Sequence, residues 1–128
     1  MHNQVDIALD PFPYNGGTIS KNSLWMGVPL VALAGSRAVS RVGLALLSQV
    51  LLEHLVARDE NDYVRIASVL ARDLCALAEI RATLRQRVEA APFSDAAACT
   101  REVEAAYRMM WRRWCARASI ESDAKDVP

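Results

Sequence analysis

Residues 5–35, VDIALDPFPYNGGTISKNSLWMGVPLVALAG, constrain the fold more than any other stretch of this 128-residue chain. Two short apolar runs flank a turn-rich segment and a short helical pattern. Val5 to Leu9 reads as a strand, with Val5, Ile7 and Leu9 on one face. Leu30 to Ala34 reads as a second strand, free of charge, as expected where helices cover both faces of a sheet. Strand, turn, helix and strand in that order argue for a parallel sheet with crossover helices. The turn holds Gly16 and Gly17, then Thr18 and Ser20. A helix starting there points its unsatisfied backbone N–H groups back into the turn, an arrangement that cradles phosphate or diphosphate. Glycine permits close backbone approach, and the Thr18 and Ser20 hydroxyls are candidate donors. A glycine pair also does no more than make a tight turn possible, so the pair alone leaves both readings open.

The remainder reads as mostly helical. Arg37 to about Val50 places Val39, Val42, Leu46, Leu47 and Val50 on a helical stripe. Leu55 to Ala57 suits a third short strand. Asp59 or Asn61 is a candidate cap for a helix that turns Tyr63, Ile66, Val69 and Leu70 inward. Asp73 to Glu89 continues with Leu74, Leu77, Ile80, Leu84 and Val88, and Pro92 marks a break. A last helix is expected from Asp95 or Thr100 to about Ala116, followed by a disordered tail at 117–128. Three strands are few for a parallel sheet, and would leave edges unpaired.

The chain is 52% hydrophobic with a formal net charge of zero, so nothing favours nucleic acid or an anionic membrane surface. No apolar run reaches the length of a membrane span. Cys75, Cys99 and Cys115 lack metal-ligand spacing and read as reduced thiols of a cytoplasmic protein. His2 and His54 are isolated, and no metal site is expected. No carboxylate pair, Ser–His–Asp set or Cys–His set has support from spacing, so no catalytic residue is assigned. Arg37 and Arg41 could approach a phosphate, though a solvated or salt-bridged role is the plainer reading. Trp25 and Met26 read as core. Arg108, Arg112, Arg113 and Arg117 read as a wet helix face among Glu102 and Glu104.

The wording around the glycines is more specific than the glycines. DPFPYNGGT followed by LWMGVPLV resembles the donor-nucleotide loop of the protein O-linked N-acetylglucosaminyltransferases, the SPINDLY-like glycosyltransferase family 41. SRVGLALL (40–47), HLVARDENDYVRIASVLARD (54–73) and LRQRVEAAPFSDAAACTREVEAAYRMMWRRWC (84–115) fall in that family's C-terminal order. The resemblance covers roughly residues 4 to 116. It implies an α/β fold: the C-terminal portion of a Rossmann-like lobe of the two-lobed glycosyltransferase B architecture. Residues 1–116 would be part of the lobe that binds UDP-N-acetylglucosamine, with Asn15, Gly16, Gly17, Thr18 and Asn22 contacting the UDP moiety. The implied chemistry is inverting, needs no metal or other cofactor, and moves N-acetylglucosamine to protein Ser or Thr. The family's N-terminal lobe, with its active-site histidines, its diphosphate-stabilising lysine and the acceptor-selecting repeats, has no counterpart here. The chain therefore looks like a truncated gene product, a split-gene subunit or an excised fragment, inactive alone. The other reading is a non-catalytic remnant or interaction module.

Ile19, Asn22 and Leu51 are the departures from the family's pattern that bear on the site and its support. Bacterial members typically read NGGTTTCEALWMG, and this chain reads NGGTISKNSLWMG. Ile19 replaces a threonine hydroxyl near the diphosphate, and Asn22 replaces an acidic residue expected at the ribose. Each loss would cost on the order of 1–3 kcal/mol, or ~10- to 100-fold in affinity. Leu51 stands where a helix-ending glycine is usual, so that cap is expected to be lost. Val103, Tyr107, Met110, Trp111 and Trp114 form one apolar stripe on the last helix. Self-association through Trp111 and Trp114, or pairing with a partner that supplies the missing lobe, is expected.

Overall fold

The computed structural model describes residues 4–123, with side chains as far as 117. The described residues fall into two units, one ending at Ser94 and the other starting at Asp95. The first carries the sheet. Strands β1 (Ala8–Leu9), β2 (Leu30–Leu33) and β3 (Val56–Ala57) lie parallel in the order β1-β2-β3. Ala8 pairs with Leu30 and Leu9 with Val31; Ala32 pairs with Val56 and Leu33 with Ala57. Helix α1 (Thr18–Trp25) crosses from β1 to β2, and α2 (Val42–Gln49) from β2 to β3. Helices α3 (Glu60–Arg72) and α4 (Leu74–Ala90) follow, then a 3₁₀ turn at Pro92–Ser94. This is the three-stranded, mostly helical α/β arrangement that the strand–helix alternation predicts.

The uncharged β2 is the centre of the core. Leu30, Val31 and Ala32 are buried between Leu24 of α1, Leu47 of α2, Ile66 and Leu70 of α3, and Leu77, Ile80, Leu84 and Val88 of α4. Burying one such Leu, Ile or Val contributes about 1.5–3 kcal/mol, so this cluster dominates the unit's stability. The edge strand is shorter than Val5–Leu9. Arg81 of α4 donates from Nη1 to the carbonyls of Val5 and Asp6, 3.0 and 3.1 Å away. Those groups therefore pair with a side chain instead of a ladder. Val5 and Leu9 are exposed, and Ile7 is half-buried.

Helix boundaries follow their caps. Asp59 accepts from the Asp62 N–H at 2.8 Å and starts α3. Asp73 accepts from the Ala76 N–H at 3.0 Å, so the 60–90 segment is two helices with separate faces. Ile66, Leu70, Leu77, Ile80, Leu84 and Val88 face inward as their spacing predicts. Val69 and Leu74, expected inside, are exposed next to that break. Trp25 and Met26 are not core either: both are exposed, and the Arg85 guanidinium lies 4.9 Å from the Trp25 ring centroid. The Arg37–Val50 helix is divided into a 3₁₀ turn, Ala38–Ser40, and α2. There Ser40 Oγ donates to the Arg37 carbonyl at 2.9 Å and accepts its N–H at 3.3 Å.

The expected loss of the α2 cap is corrected. Leu51 adopts φ 60°, and the cap forms around it. The Leu51 N–H reaches the Ser48 carbonyl at 3.3 Å, and the Leu52 N–H reaches the Leu47 carbonyl at 2.9 Å. This is a Schellman motif with leucine in the left-handed position, closed by the buried pair Leu47 and Leu52. Helix α1 ends with the same pair of bonds, Gly27 N–H to Leu24 and Val28 N–H to Ser23, around Gly27 at φ 74°.

The second unit is α5 (Ala96–Asp123). Asp95 caps it by accepting from the Ala98 N–H at 2.8 Å. The helix runs past the expected end at Ala116; residues 124–128 of the expected tail lie outside the described residues. Val103, Tyr107, Met110, Trp111 and Trp114 are exposed, and the two indoles stack at 5.3 Å between ring centroids. Among the described residues no helix is long and apolar enough to cross a membrane.

Candidate functional site

The carboxyl ends of the three strands lie side by side, so the loops leaving them gather along one edge of the sheet. Open parallel sheets bind ligands along this edge. The β1 loop begins at Asp10, which is 1% exposed. Its Oδ1 accepts from the Gly16 N–H at 2.9 Å and from the Ser20 hydroxyl at 2.5 Å. Its backbone N–H donates to Val31 at 2.9 Å, and its carbonyl accepts from the Tyr63 hydroxyl at 2.9 Å. One residue thus joins β2, the glycine turn, α1 and α3.

The turn itself explains both glycines. A Cβ at Gly16 would lie 2.6 Å from Ser20 Oγ and 3.1 Å from Asp10 Oδ1, so the close approach requires its absence. Gly17 precedes α1 with φ 54° and ψ −104°, a conformation that disfavours any Cβ. Among the described residues the Gly17 and Thr18 N–H groups have no protein partner, while the Ile19 N–H bonds back to Gly16 at 3.2 Å. The first turn of α1 contains no acidic residue. The result is a set of open N–H donors, those of Gly17 and Thr18 among them, at the positive end of a helix dipole.

Asn15 and Ser20 serve the loop itself. Asn15 is 2% exposed; its Nδ2 donates to the Pro11 carbonyl at 3.0 Å and its Oδ1 accepts from the Gly43 N–H at 3.2 Å. Both ends of its amide are therefore occupied by the protein. The Ser20 hydroxyl, a candidate ligand donor by sequence, points inward to Asp10. Gly16 and Gly17 are half-buried, and Thr18, Ile19 and Asn22 are exposed on α1. Arg41 donates to the Gly35 carbonyl at 3.1 Å, so this guanidinium braces its own loop.

A cleft of about 840 Å³ opens beside the turn, walled by Phe12, Tyr14, Gly35, Arg37, Arg58 and neighbouring residues of the three strand-end loops. Gly16, Gly17, Thr18 and Asn22 do not line it. The Phe12 ring meets the Tyr63 ring edge-on at 5.6 Å. Burial of the Tyr63 phenol, with a smaller contribution from the Asp10 charge, raises its pKa above the ordinary 10.0.

Comparison with known proteins gives this edge its context. The profile of Glycosyl transferase family 41 matches residues 2–103. The chain belongs to that family. It is 50% identical over 111 residues to the probable UDP-N-acetylglucosamine–peptide N-acetylglucosaminyltransferase SPINDLY of Oryza sativa subsp. japonica. It is 48% identical over 111 residues to the protein of the same description from Solanum lycopersicum. Each alignment covers 87% of this chain and 12% of the relative, so the chain spans about an eighth of those proteins. Among solved structures, a K341M mutant of the Thermobaculum terrenum O-GlcNAc transferase superposes with a TM-score of 0.84 at 44% identity. That match covers 91% of this chain and 22% of the other. The family 41 fold of the C-terminal lobe portion is thus shared over nearly the whole chain.

Asp10, Gly43 and Tyr63 are members of this site that sequence reasoning missed. The signal for Asp10 was its place between an apolar strand and Pro11. Gly43 and Tyr63 lie 33 and 53 residues further on, and only the fold brings them to Asp10.

Proposed function

We propose that this chain is the donor-loop portion of a protein O-GlcNAc transferase of family 41. The diphosphate of UDP-N-acetylglucosamine would sit over Gly16, Gly17 and Thr18, with Asn22 turned to the ribose. The observation that carries the reading is the fixed glycine turn with the open Gly17 and Thr18 N–H donors at the head of α1, in a family 41 chain. Positioning and stabilisation of the leaving diphosphate are the contributions such a turn makes to transfer. The acceptor is a protein Ser or Thr, no metal or cofactor is required, and the compartment is the cytoplasm, in keeping with the exposed thiols of Cys75 and Cys99. Asn15, expected at the UDP moiety, also holds the loop in place through Pro11 and Gly43.

Titration with UDP, followed by backbone amide shifts in the presence of a chelator, tests this. Saturable shifts at residues 16–18 and 22 are expected. Shifts confined elsewhere would refute the location. No response at millimolar UDP would favour the second reading, a non-catalytic interaction module. Ile19 and Asn22 favour that alternative, because each departs from the residue that the family resemblance implies at the donor. A polypeptide of these 128 residues alone is proposed to lack transfer activity, since it corresponds to 12% of the SPINDLY relatives.

A further inference from the structure

We propose that Asp10 is the positioning residue of the donor turn: its buried carboxylate, held on one oxygen by Gly16 and Ser20, sets the direction of the open Gly17 and Thr18 N–H groups. The proposal rests on the donor reading of that turn. Four observations support it.

The carboxylate is inside the protein, yet no cation pairs with it among the described residues. Burying an ionisable group without a counter-charge is expensive. Oδ1 recovers part of that cost through two short bonds, and both reach the turn and its helix: the Gly16 N–H and the Ser20 hydroxyl. Oδ2 is buried with no hydrogen-bond partner among the described residues. A buried orphan oxygen is uncommon and calls for a reason. A carboxylate present only to fill space would be replaced favourably by an apolar residue.

The packing around the carboxylate is close. An added Cβ at Gly43 would fall 2.6 Å from Oδ2, and one at Gly16 would fall 3.1 Å from Oδ1. Glycines thus clear space on both sides of the carboxylate. The backbone of Asp10 is pinned as well, by Val31 on β2 and by the Tyr63 hydroxyl from α3. The carboxylate therefore refers the turn to the rigid sheet and not to the surface.

Geometry then connects Asp10 to the open donors. The Gly16 N–H is drawn inward to Asp10, while the next two N–H groups, those of Gly17 and Thr18, have no protein partner among the described residues. Fixing the first turn of α1 through Ser20 aligns the helix dipole with the same spot. Asp10 itself touches no ligand in this scheme.

The test uses the full 128-residue chain and four forms: wild type, Asp10→Ala, Asp10→Asn and Ser20→Ala. Amide hydrogen exchange without ligand is the first readout. In Asp10→Ala, protection of Gly16 should fall at least tenfold while Val31 and Leu84 keep theirs. Asp10→Asn, which retains an acceptor, should restore most of it. The second readout is UDP affinity of the folded protein from amide shifts. Asp10→Ala should weaken it by on the order of tenfold or more, Ser20→Ala by less, and Asp10→Asn least. Unchanged Gly16 protection in Asp10→Ala overturns the proposal. So does unchanged UDP affinity with protection lost, because the residue would then be only structural. If wild type shows the protected Gly16 but no UDP response, the donor reading fails, and the proposal falls with it. If Asp10→Ala unfolds, Ser20→Ala decides alone: equal loss of α1 order and affinity supports the role, and no change refutes it.

Discussion

Leu51 occupies a backbone region that costs an ordinary L-residue roughly 1–2 kcal/mol, and its side chain, 71% exposed, gains little in return. The Schellman bonds at Leu51 and Leu52 hold it there, backed by burial of Leu52 and Leu55. Leu51→Gly should therefore raise unfolding free energy by about 0.5–1 kcal/mol, seen as a higher urea midpoint with unchanged slope. A lower midpoint would mean that the cap is not strained. Gly43 poses the opposite case. Alanine favours a helix over glycine by about 1 kcal/mol, but its methyl would meet Ala32 Cβ and Asp10 Oδ2 at 2.6 Å each. Overpacking of that kind costs about 1–3 kcal/mol, so Gly43→Ala should lower stability and shift the Gly16 amide. A stabilised variant would show that α2 moves away freely. Tyr63 carries a pH dependence. Its folded pKa is raised, so above the ordinary 10.0 the unfolded chain loses a proton that the folded chain keeps. Its contribution is whole below 10.0 and is lost as pH rises through the higher folded value. Urea midpoints measured upward from about pH 9 should fall more steeply in wild type than in Tyr63→Phe. Parallel curves would dissociate Tyr63 from the alkaline limb.

At the scale of single elements, α1 is where this chain departs from the pattern that its resemblance implies. Ile19 and Asn22 stand three residues apart on the exposed side of this helix. Restoring the family's residues by Ile19→Thr and Asn22→Glu should strengthen UDP binding by ~10-fold or more for the pair, read from the same amide titration. No gain would place the nucleotide away from α1. The elements themselves were legible because local chemistry and tertiary demand coincide. The uncharged run at 30–33 is a central strand, Asp59 and Asp73 cap helices, and Ile66, Leu70, Leu77, Ile80, Leu84 and Val88 face the core. Legibility failed where a distant side chain intervened. Arg81 reaches back 76 residues to Val5 and shortens β1. Trp25 lies beside Arg85 instead of in the core. The site behaved alike: the Gly16–Thr18 turn was readable from its glycines, but the inward use of Ser20 depends on a buried acceptor that no local pattern announces.

At the scale of the whole molecule, the Trp111–Trp114 stack presents a large aromatic surface on α5. Stacked indoles in water favour association. Replacing both with polar residues should raise the monomer fraction in sedimentation. A wild-type chain that stays monomeric at high concentration would refute this. The sheet has a consequence of another kind. Among the described residues β1 and β3 each pair with β2 alone, a ribbon of four residues, and every loop of the candidate site departs from one of these three strands. The loops therefore share one mechanical mount. Motions that would be independent in a wide sheet become correlated here, because any tilt of Leu30–Leu33 is passed to the glycine turn, to the Arg37 loop and to Arg58 together. Relaxation measurements on those three loops should report one common exchange rate, and a cavity opened beneath β2 by Val31→Ala should alter all three at once.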